Sequence, residues 1–115
     1  MLRRVIKQLS YLTSLNNSTS LVSLYIPKTT KVTDLSKMIS SELSKASNVK
    51  CRLTRQGTEK ALQSISTHLK SMTKFPDNGL IIFTGQTTDK YINQVIEPIR
   101  PVNRFLYRCE SSFCL

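Results

Sequence analysis

Cysteine is scarce in this chain, which has three (Cys51, Cys109 and Cys114) among 115 residues. An odd number without framework spacing argues against a disulfide scaffold and indicates a reducing compartment, so we expect a cytoplasmic protein. A zinc site would need close-paired ligands, whereas these cysteines and the single histidine, His68, are scattered along the chain. We therefore expect no disulfide, no bound metal and no cofactor.

Acidic residues are also few, with 7 Asp and Glu against 17 Lys and Arg, and the first of them is Asp34. The net charge of +10 favours a polyanionic partner such as RNA or an acidic membrane surface, although a merely soluble basic surface has the same composition. The basic N-terminus is compatible with an organelle transit peptide. The helical spacing of Leu2, Val5, Leu9 and Leu12 instead favours an ordinary helix.

Long apolar runs are missing as well. The longest, Leu80–Phe83, suits a strand and not a membrane span, so we expect a soluble protein without a membrane partner. Catalytic side chains are equally sparse, because there is one histidine, the acidic residues form no evident pair, and the three glycines are isolated from one another. We expect the chain not to be an enzyme.

The remaining pattern predicts a single domain over residues 1–115. Apolar and β-branched runs predict the strands Leu21–Ile26, Leu80–Thr84, Tyr91–Ile96 and Phe105–Cys109, the middle two forming a hairpin. Helical periodicity predicts an N-terminal helix, a second helix over Asp34–Ala46 capped by Thr33, and a third from Arg52 or Thr58 to Met72. The predicted fold is an α+β sandwich, in which one mixed sheet of about four strands packs against helices and a helix-to-helix loop is exposed at one tip.

The predicted loop Asn48-Val49-Lys50-Cys51 is polar and lies in a window of basic residues without acids. Lys50 supplies three donors, and Asn48 offers both donors and an acceptor, which suits the edge of a uracil as well as a phosphate. The guanidinium groups of Arg52 and Arg55 suit RNA phosphates. A solvated charged turn is the alternative interpretation.

The last strand carries aromatic side chains around a cysteine. Tyr107 and Cys109 alternate onto one strand face, so either both project into a groove or both fill the core. An aromatic ring with a phenolic donor suits stacking and hydrogen bonding to unpaired bases, which makes Tyr107 the better contact. Phe113 is expected to support the core.

Glu42 falls near the middle of the apolar stripe of the second helix, where a carboxylate costs free energy unless it has a partner. One interpretation is that it emerges into solvent or pairs with a basic side chain. The other is that it presents an acceptor beside the loop, suited to the exocyclic amines of purines.

Together the two segments resemble the Asn-Ile-Lys-Ser and Tyr-x-Cys-x-x-x-Phe motifs of the N-terminal domain of eukaryotic and archaeal class-1 peptide chain release factors. The likeness covers nearly the whole chain and includes Ser18-Thr19-Ser20, which is similar to the family's Gly-Thr-Ser segment. It implies recognition of stop codons in the ribosomal decoding site, with Glu42 reading purines in the second and third positions and Thr19 distinguishing A from G. The implied recognition residues are Ser18, Thr19, Ser20, Glu42, Asn48, Val49, Lys50, Cys51, Tyr107, Cys109 and Phe113.

The chain departs from the family pattern at three of these positions. Val49 replaces isoleucine, which is a mild change. Cys51 stands where the family has serine, and cysteine is a weaker hydrogen-bond donor; Ser18 stands where it has glycine, and a side chain there restricts the backbone. Either change can alter which stop codons are read.

The resemblance also implies partners: the mRNA stop codon, ribosomal RNA of the small-subunit decoding site and, through the full-length protein, a class-2 GTPase release factor. Peptide release in the family uses a Gly-Gly-Gln loop in a different domain. Two alternatives remain open, a small general RNA-binding or regulatory module that has lost codon specificity, and a protein-interaction domain of the release machinery.

Overall fold

The computed structural model describes residues 2–10, 12–14 and 19–115. Within these ranges the elements follow in the order α1 (Leu2–Leu9), β1 (Leu21–Ile26), α2 (Val32–Ala46), α3 (Arg52–Lys70), β2 (Leu80–Gln86), β3 (Tyr91–Ile96) and β4 (Leu106–Glu110). None of the helices described is both long and apolar enough to cross a membrane.

The four strands form one sheet in the order β3-β2-β1-β4, and every neighbouring pair is antiparallel. The predicted α+β class is confirmed, but the sheet is not mixed. The reason is the α2–α3 hairpin, which returns the chain to the end of the sheet where β1 finished, so that Ile26 pairs with Leu80 at the start of β2.

Both faces of the sheet are covered. On one face, β1 and β2 pack against α2 and α3 through a core that includes Val22, Leu24 and Ile82. On the other face, Leu21 and Phe83 pack with α1 and with the C-terminal segment. Burial on both faces explains why the run that begins at Leu80 is continuously apolar instead of alternating.

Several predicted boundaries shift. The second helix begins at Val32 after Lys31, with no side-chain hydrogen bond to its first turn, so Thr33 lies inside the helix and the predicted Thr33 cap is wrong. The third helix is continuous through Gly57 and ends at Lys70. A β-carbon at Gly57 would lie 3.0 Å from that of Ser20, so the close approach of this segment accounts for a glycine inside the helix.

The boundaries of two strands differ from the predicted ones by smaller amounts. The first strand of the hairpin, β2, continues past Thr84 to Gln86. Gly85, at a φ of +147°, allows this because it passes close to Leu21, and a β-carbon there would lie 2.6 Å from Leu21 Cδ2. The last strand begins one residue later than predicted, at Leu106.

Candidate nucleic-acid interface

The loop of residues 47–51 is a tight connection between α2 and α3, as predicted. Backbone N–H groups of Asn48 and Val49 donate to the Lys45 and Ala46 carbonyls at 3.1 Å each, so the turn satisfies carbonyls that the helix end leaves open. Asn48, Lys50 and Cys51 are exposed, and Val49 is half-buried. The loop therefore presents its amide, ammonium and thiol groups to solvent on a fixed backbone.

Arg55 stabilises this loop from inside the protein. Its Nη1 donates to the Val49 carbonyl at 3.1 Å, and the residue is half-buried, whereas Arg52 is exposed. The two arginines predicted to bind RNA phosphates thus differ: Arg52 presents its guanidinium to solvent, while Arg55 has one nitrogen engaged and could reach a phosphate only with its other donors.

Cys51 lies immediately before the first residue of α3. The Thr54 hydroxyl, followed by backbone N–H groups of Thr54 and Leu53 and by the charge of Arg55, lowers the pKa of the Cys51 thiol from its ordinary value. Thiolates are favoured at helix N-termini for this reason.

We expect this difference in pKa to show in alkylation by iodoacetamide. The reaction needs the thiolate, so Cys51 should become reactive at a lower pH than Cys109, whose pKa is raised by burial. Mass spectrometry of peptides after brief labelling across a pH series measures both sites in one sample. Thr54→Val should move the Cys51 midpoint upward; coincident midpoints for Cys51 and Cys109 would contradict the assignment.

The second candidate segment lies on β4, at the edge of the sheet. Tyr107 pairs with Leu24 and Cys109 with Val22, so both side chains face α2 and α3, and both are half-buried against that core. The two alternatives from the sequence are therefore combined, because each side chain packs on the core and keeps part of its surface exposed. Burial, then the nearby Cys109 and Glu42, raise the pKa of Tyr107 well above its usual range.

Two long-range hydrogen bonds, one from this strand and one from α3, reach the segment before β1. The Cys109 thiol donates to the Thr19 carbonyl at 3.2 Å, and the Thr58 hydroxyl donates to the same carbonyl at 3.3 Å. Thr58 Oγ1 also lies 3.9 Å from Cys109 Sγ. These bonds hold the Thr19 backbone while the residue itself stays exposed.

Thr58 was missed as a site residue by sequence reasoning, which treated it only as a possible helix start. A signal was present, because Thr58 continues the buried stripe of α3 formed by Ala61, Leu62 and Ile65. A hydroxyl on a buried helix face needs a partner, and here the partner is the Thr19 carbonyl.

Glu42 lies one helical turn before the end of α2, close to this group. Its carboxylate is 3.7 Å from Lys45 Nζ, and its side chain is 31% exposed. Its charge contributes to the raised pKa values of both Tyr107 and Cys109, so the carboxylate lies near them. We call Thr19, Glu42, Thr58, Tyr107 and Cys109 the Tyr107 cluster; it adjoins the loop of residues 47–51.

Two of the predicted recognition residues do not join this surface. Phe113 is 7% exposed and packs on the opposite face of the sheet, with its ring centroid 5.5 Å from that of Phe83. Ser20 is 2% exposed. Direct base contact by either is excluded in this conformation, and Ser18 lies outside the described residues.

The whole chain matches one family of known proteins. The sequence model of the family eRF1 domain 1 matches residues 1–115. The chain belongs to this family. Its eRF1 domain 1 fold is shared with the crystal structure of an archaeal translation termination factor, aRF1, at a TM-score of 0.90 and 32% identity, covering 98% of this chain and 31% of that one.

Full-length relatives carry this eRF1 domain 1 as a minor part of their length. Peptide chain release factor subunit 1 of Methanopyrus kandleri is 35% identical over 98% of this chain, and subunit 1-2 of Methanosarcina acetivorans is 40% identical over 95%. The eukaryotic subunit 1 of Tetrahymena thermophila is 38% identical over 84%. The chain spans 28%, 28% and 23% of these relatives.

No cluster of metal ligands is present in the part of this eRF1 domain 1 that the structure describes. No group of three or more His, Cys, Asp or Glu side chains there could hold a metal ion. The groups available to a ligand at the interface are hydrogen-bond donors and acceptors, positive charges and one phenol ring.

Proposed function

We propose that this domain recognises stop codons of mRNA in the ribosomal decoding site during translation termination. The observation that supports this best is the position of Glu42. The carboxylate lies near Tyr107 and Cys109, one helical turn before the exposed lysine loop. An acceptor and an ammonium group from the end of α2 and its loop thus join a phenol from the distant strand β4, which suits the reading of several bases.

We assign each group the role that the resemblance to the release-factor family implies and that its chemistry allows. Lys50 and Asn48 contact the uridine that begins every stop codon. Glu42 accepts hydrogen bonds from the exocyclic amines of the purines that follow. Tyr107 keeps its proton at neutral pH, as any tyrosine does, and burial raises its pKa further, so its hydroxyl remains a donor beside the ring face. Thr19, exposed on a backbone held by Thr58 and Cys109, senses the difference between A and G.

The positive charge supports binding to RNA. Within the described residues, the ion pairs are Lys45 with Glu42 and Arg108 with Glu110, so most of the cations have no carboxylate within 4.0 Å. We assign ribosomal RNA phosphates to exposed cations such as Arg52. Contact with a class-2 GTPase release factor would involve the full-length protein.

We also propose that the domain recognises codons without hydrolysing peptidyl-tRNA. Peptide release in the family depends on a Gly-Gly-Gln loop, and the three glycines of this chain, at positions 57, 79 and 85, are isolated. The candidate site contains no nucleophile paired with a base.

The proposal is tested by binding of the purified chain to small ribosomal subunits programmed with a stop codon or a sense codon. We expect tighter binding to the stop codon, and we expect Lys50→Ala to reduce this preference by at least several fold, as for a lost base contact worth about 1 to 3 kcal/mol. Lys74→Ala removes the same charge at the opposite end of α3 and should leave the preference unchanged.

Because Lys50 is exposed, its replacement should change the free energy of unfolding by less than about 0.5 kcal/mol. Equal binding to both codons, with a steep dependence on salt, would instead support a general RNA-binding module.

A further inference from the structure

A groove lies on the opposite face of the sheet from α2 and α3. It encloses about 1070 Å³. Tyr25 and Ile81, from β1 and β2, line its floor, and the segment of residues 98–106 between β3 and β4 lines its wall. Tyr107 and Leu106 point to opposite faces of β4, so this groove is separate from the Tyr107 cluster.

The wall of the groove exposes large apolar side chains. Ile99 is 83% exposed and Phe105 41% exposed. Exposed apolar residues gathered around a recess mark interaction sites more often than isolated ones do. Together with the apolar floor, they form a surface that a partner could remove from water.

The exposure of Ile99 does not result from an unrestrained loop. Asn78 Nδ2 donates to the Pro98 carbonyl at 3.0 Å and to the Ile99 carbonyl at 2.8 Å, and the Val102 N–H donates to the Asn78 carbonyl at 3.0 Å. The two prolines at positions 98 and 101 restrict the backbone further. The segment therefore holds Ile99 outward before a partner binds, so that binding costs little conformational entropy of this segment.

The charge of the lining identifies the occupant. Among the lining residues that the structure describes, the charged side chains are Arg100 and Arg104, both exposed, and none is acidic. A second copy of the chain, itself at +10, is repelled. A peptide suits the lining better than RNA does, since most of its side chains are apolar and the hydroxyl of Tyr25 is already engaged with the Cys114 carbonyl at 2.8 Å.

We propose that this groove binds a short acidic peptide segment of another protein, which inserts apolar side chains beside Ile99 and places carboxylates on Arg100 and Arg104. Such a partner removes the apolar wall from water and pairs both guanidinium groups. The proposal does not depend on codon recognition, because the two surfaces lie on opposite faces of the sheet.

The test is fluorescence anisotropy of the full chain with a fluorescein-labelled peptide of alternating leucine and glutamate. We expect saturable binding that is weakened about fivefold by Arg104→Glu and by Arg100→Glu, each removing an exposed ion pair. Ile99→Asp should weaken it at least about tenfold through lost apolar contact. Lys90→Glu is the matched control, since this exposed lysine lies at the far end of the β2–β3 hairpin and should have no effect.

Control peptides separate the contributions. A leucine and lysine peptide and a serine and glutamate peptide should both bind more weakly than the leucine and glutamate peptide. No saturable binding of the leucine and glutamate peptide up to about 1 mM, the weak end of specific affinity, would overturn the proposal.

Equal weakening by Lys90→Glu, competition by single-stranded RNA for the same groove, or a dimer in size-exclusion chromatography that blocks the peptide would also overturn it. All variants change exposed residues, and thermal unfolding checks that they remain folded.

Discussion

Glu42→Ala should lower peptide release at stop codons roughly fivefold to a hundredfold when this domain replaces its counterpart in a full-length release factor. This range corresponds to one lost hydrogen bond to a base edge, worth about 1 to 3 kcal/mol. The carboxylate is available for such a contact, because the one ion pair that it makes within the described residues, with Lys45, is long at 3.7 Å and partly exposed. The measurement is the rate of release at UAA, UAG and UGA separately.

Matched variants distinguish recognition from structure. Lys45→Ala removes the ion-pair partner but keeps the carboxylate, so it should have a much smaller effect than Glu42→Ala. Thr19→Ala should shift the balance between UGA and the UAA and UAG pair without disturbing the cluster, because the Thr19 carbonyl, and not its side chain, accepts the bonds from Thr58 and Cys109. Equal losses at all three codons from every variant would contradict a purine-reading surface.

The sequence predicted those parts of the fold that depend on local pattern. The bounds of Leu21–Ile26 and Tyr91–Ile96 match the structure, because an apolar run ended by a proline and a strand after a hairpin turn are local signals. The antiparallel sheet and the extension of β2 through Gly85 were not predicted, since they depend on how the helix hairpin returns the chain and on the close approach of Leu21.

The candidate site likewise has features that local sequence predicts and contacts that it does not predict. The exposed lysine loop and the shared face of Tyr107 and Cys109 follow from local spacing. The bond from Thr58 to Thr19 joins residues 39 positions apart, and the bond from Cys109 to Thr19 joins residues 90 apart. No periodicity in one segment indicates such a partner, so only the three-dimensional structure places Thr58 in the cluster.

Phe113→Ala should lower the free energy of unfolding by about 3 kcal/mol or more, the cost of removing a buried phenylalanine from a core. The ring is 7% exposed and packs against Phe83 on the face away from the Tyr107 cluster. Its segment is tied to the interior strand β1, since the Cys114 N–H donates to Ser23 Oγ and its carbonyl accepts from the Tyr25 hydroxyl, both at 2.8 Å. Urea denaturation of the chain measures the change.

Phe105→Ala is the matched control, because the same side chain is removed from a position that is 41% exposed, and its cost should be well below that of Phe113→Ala. A Phe113→Ala variant with unchanged stability and lost codon selectivity would contradict this account and would indicate that Phe113 belongs to the recognition surface. On our account, the two aromatic positions of the Tyr-x-Cys-x-x-x-Phe motif have different functions: Tyr107 faces the RNA side, and Phe113 fixes the strand that carries it.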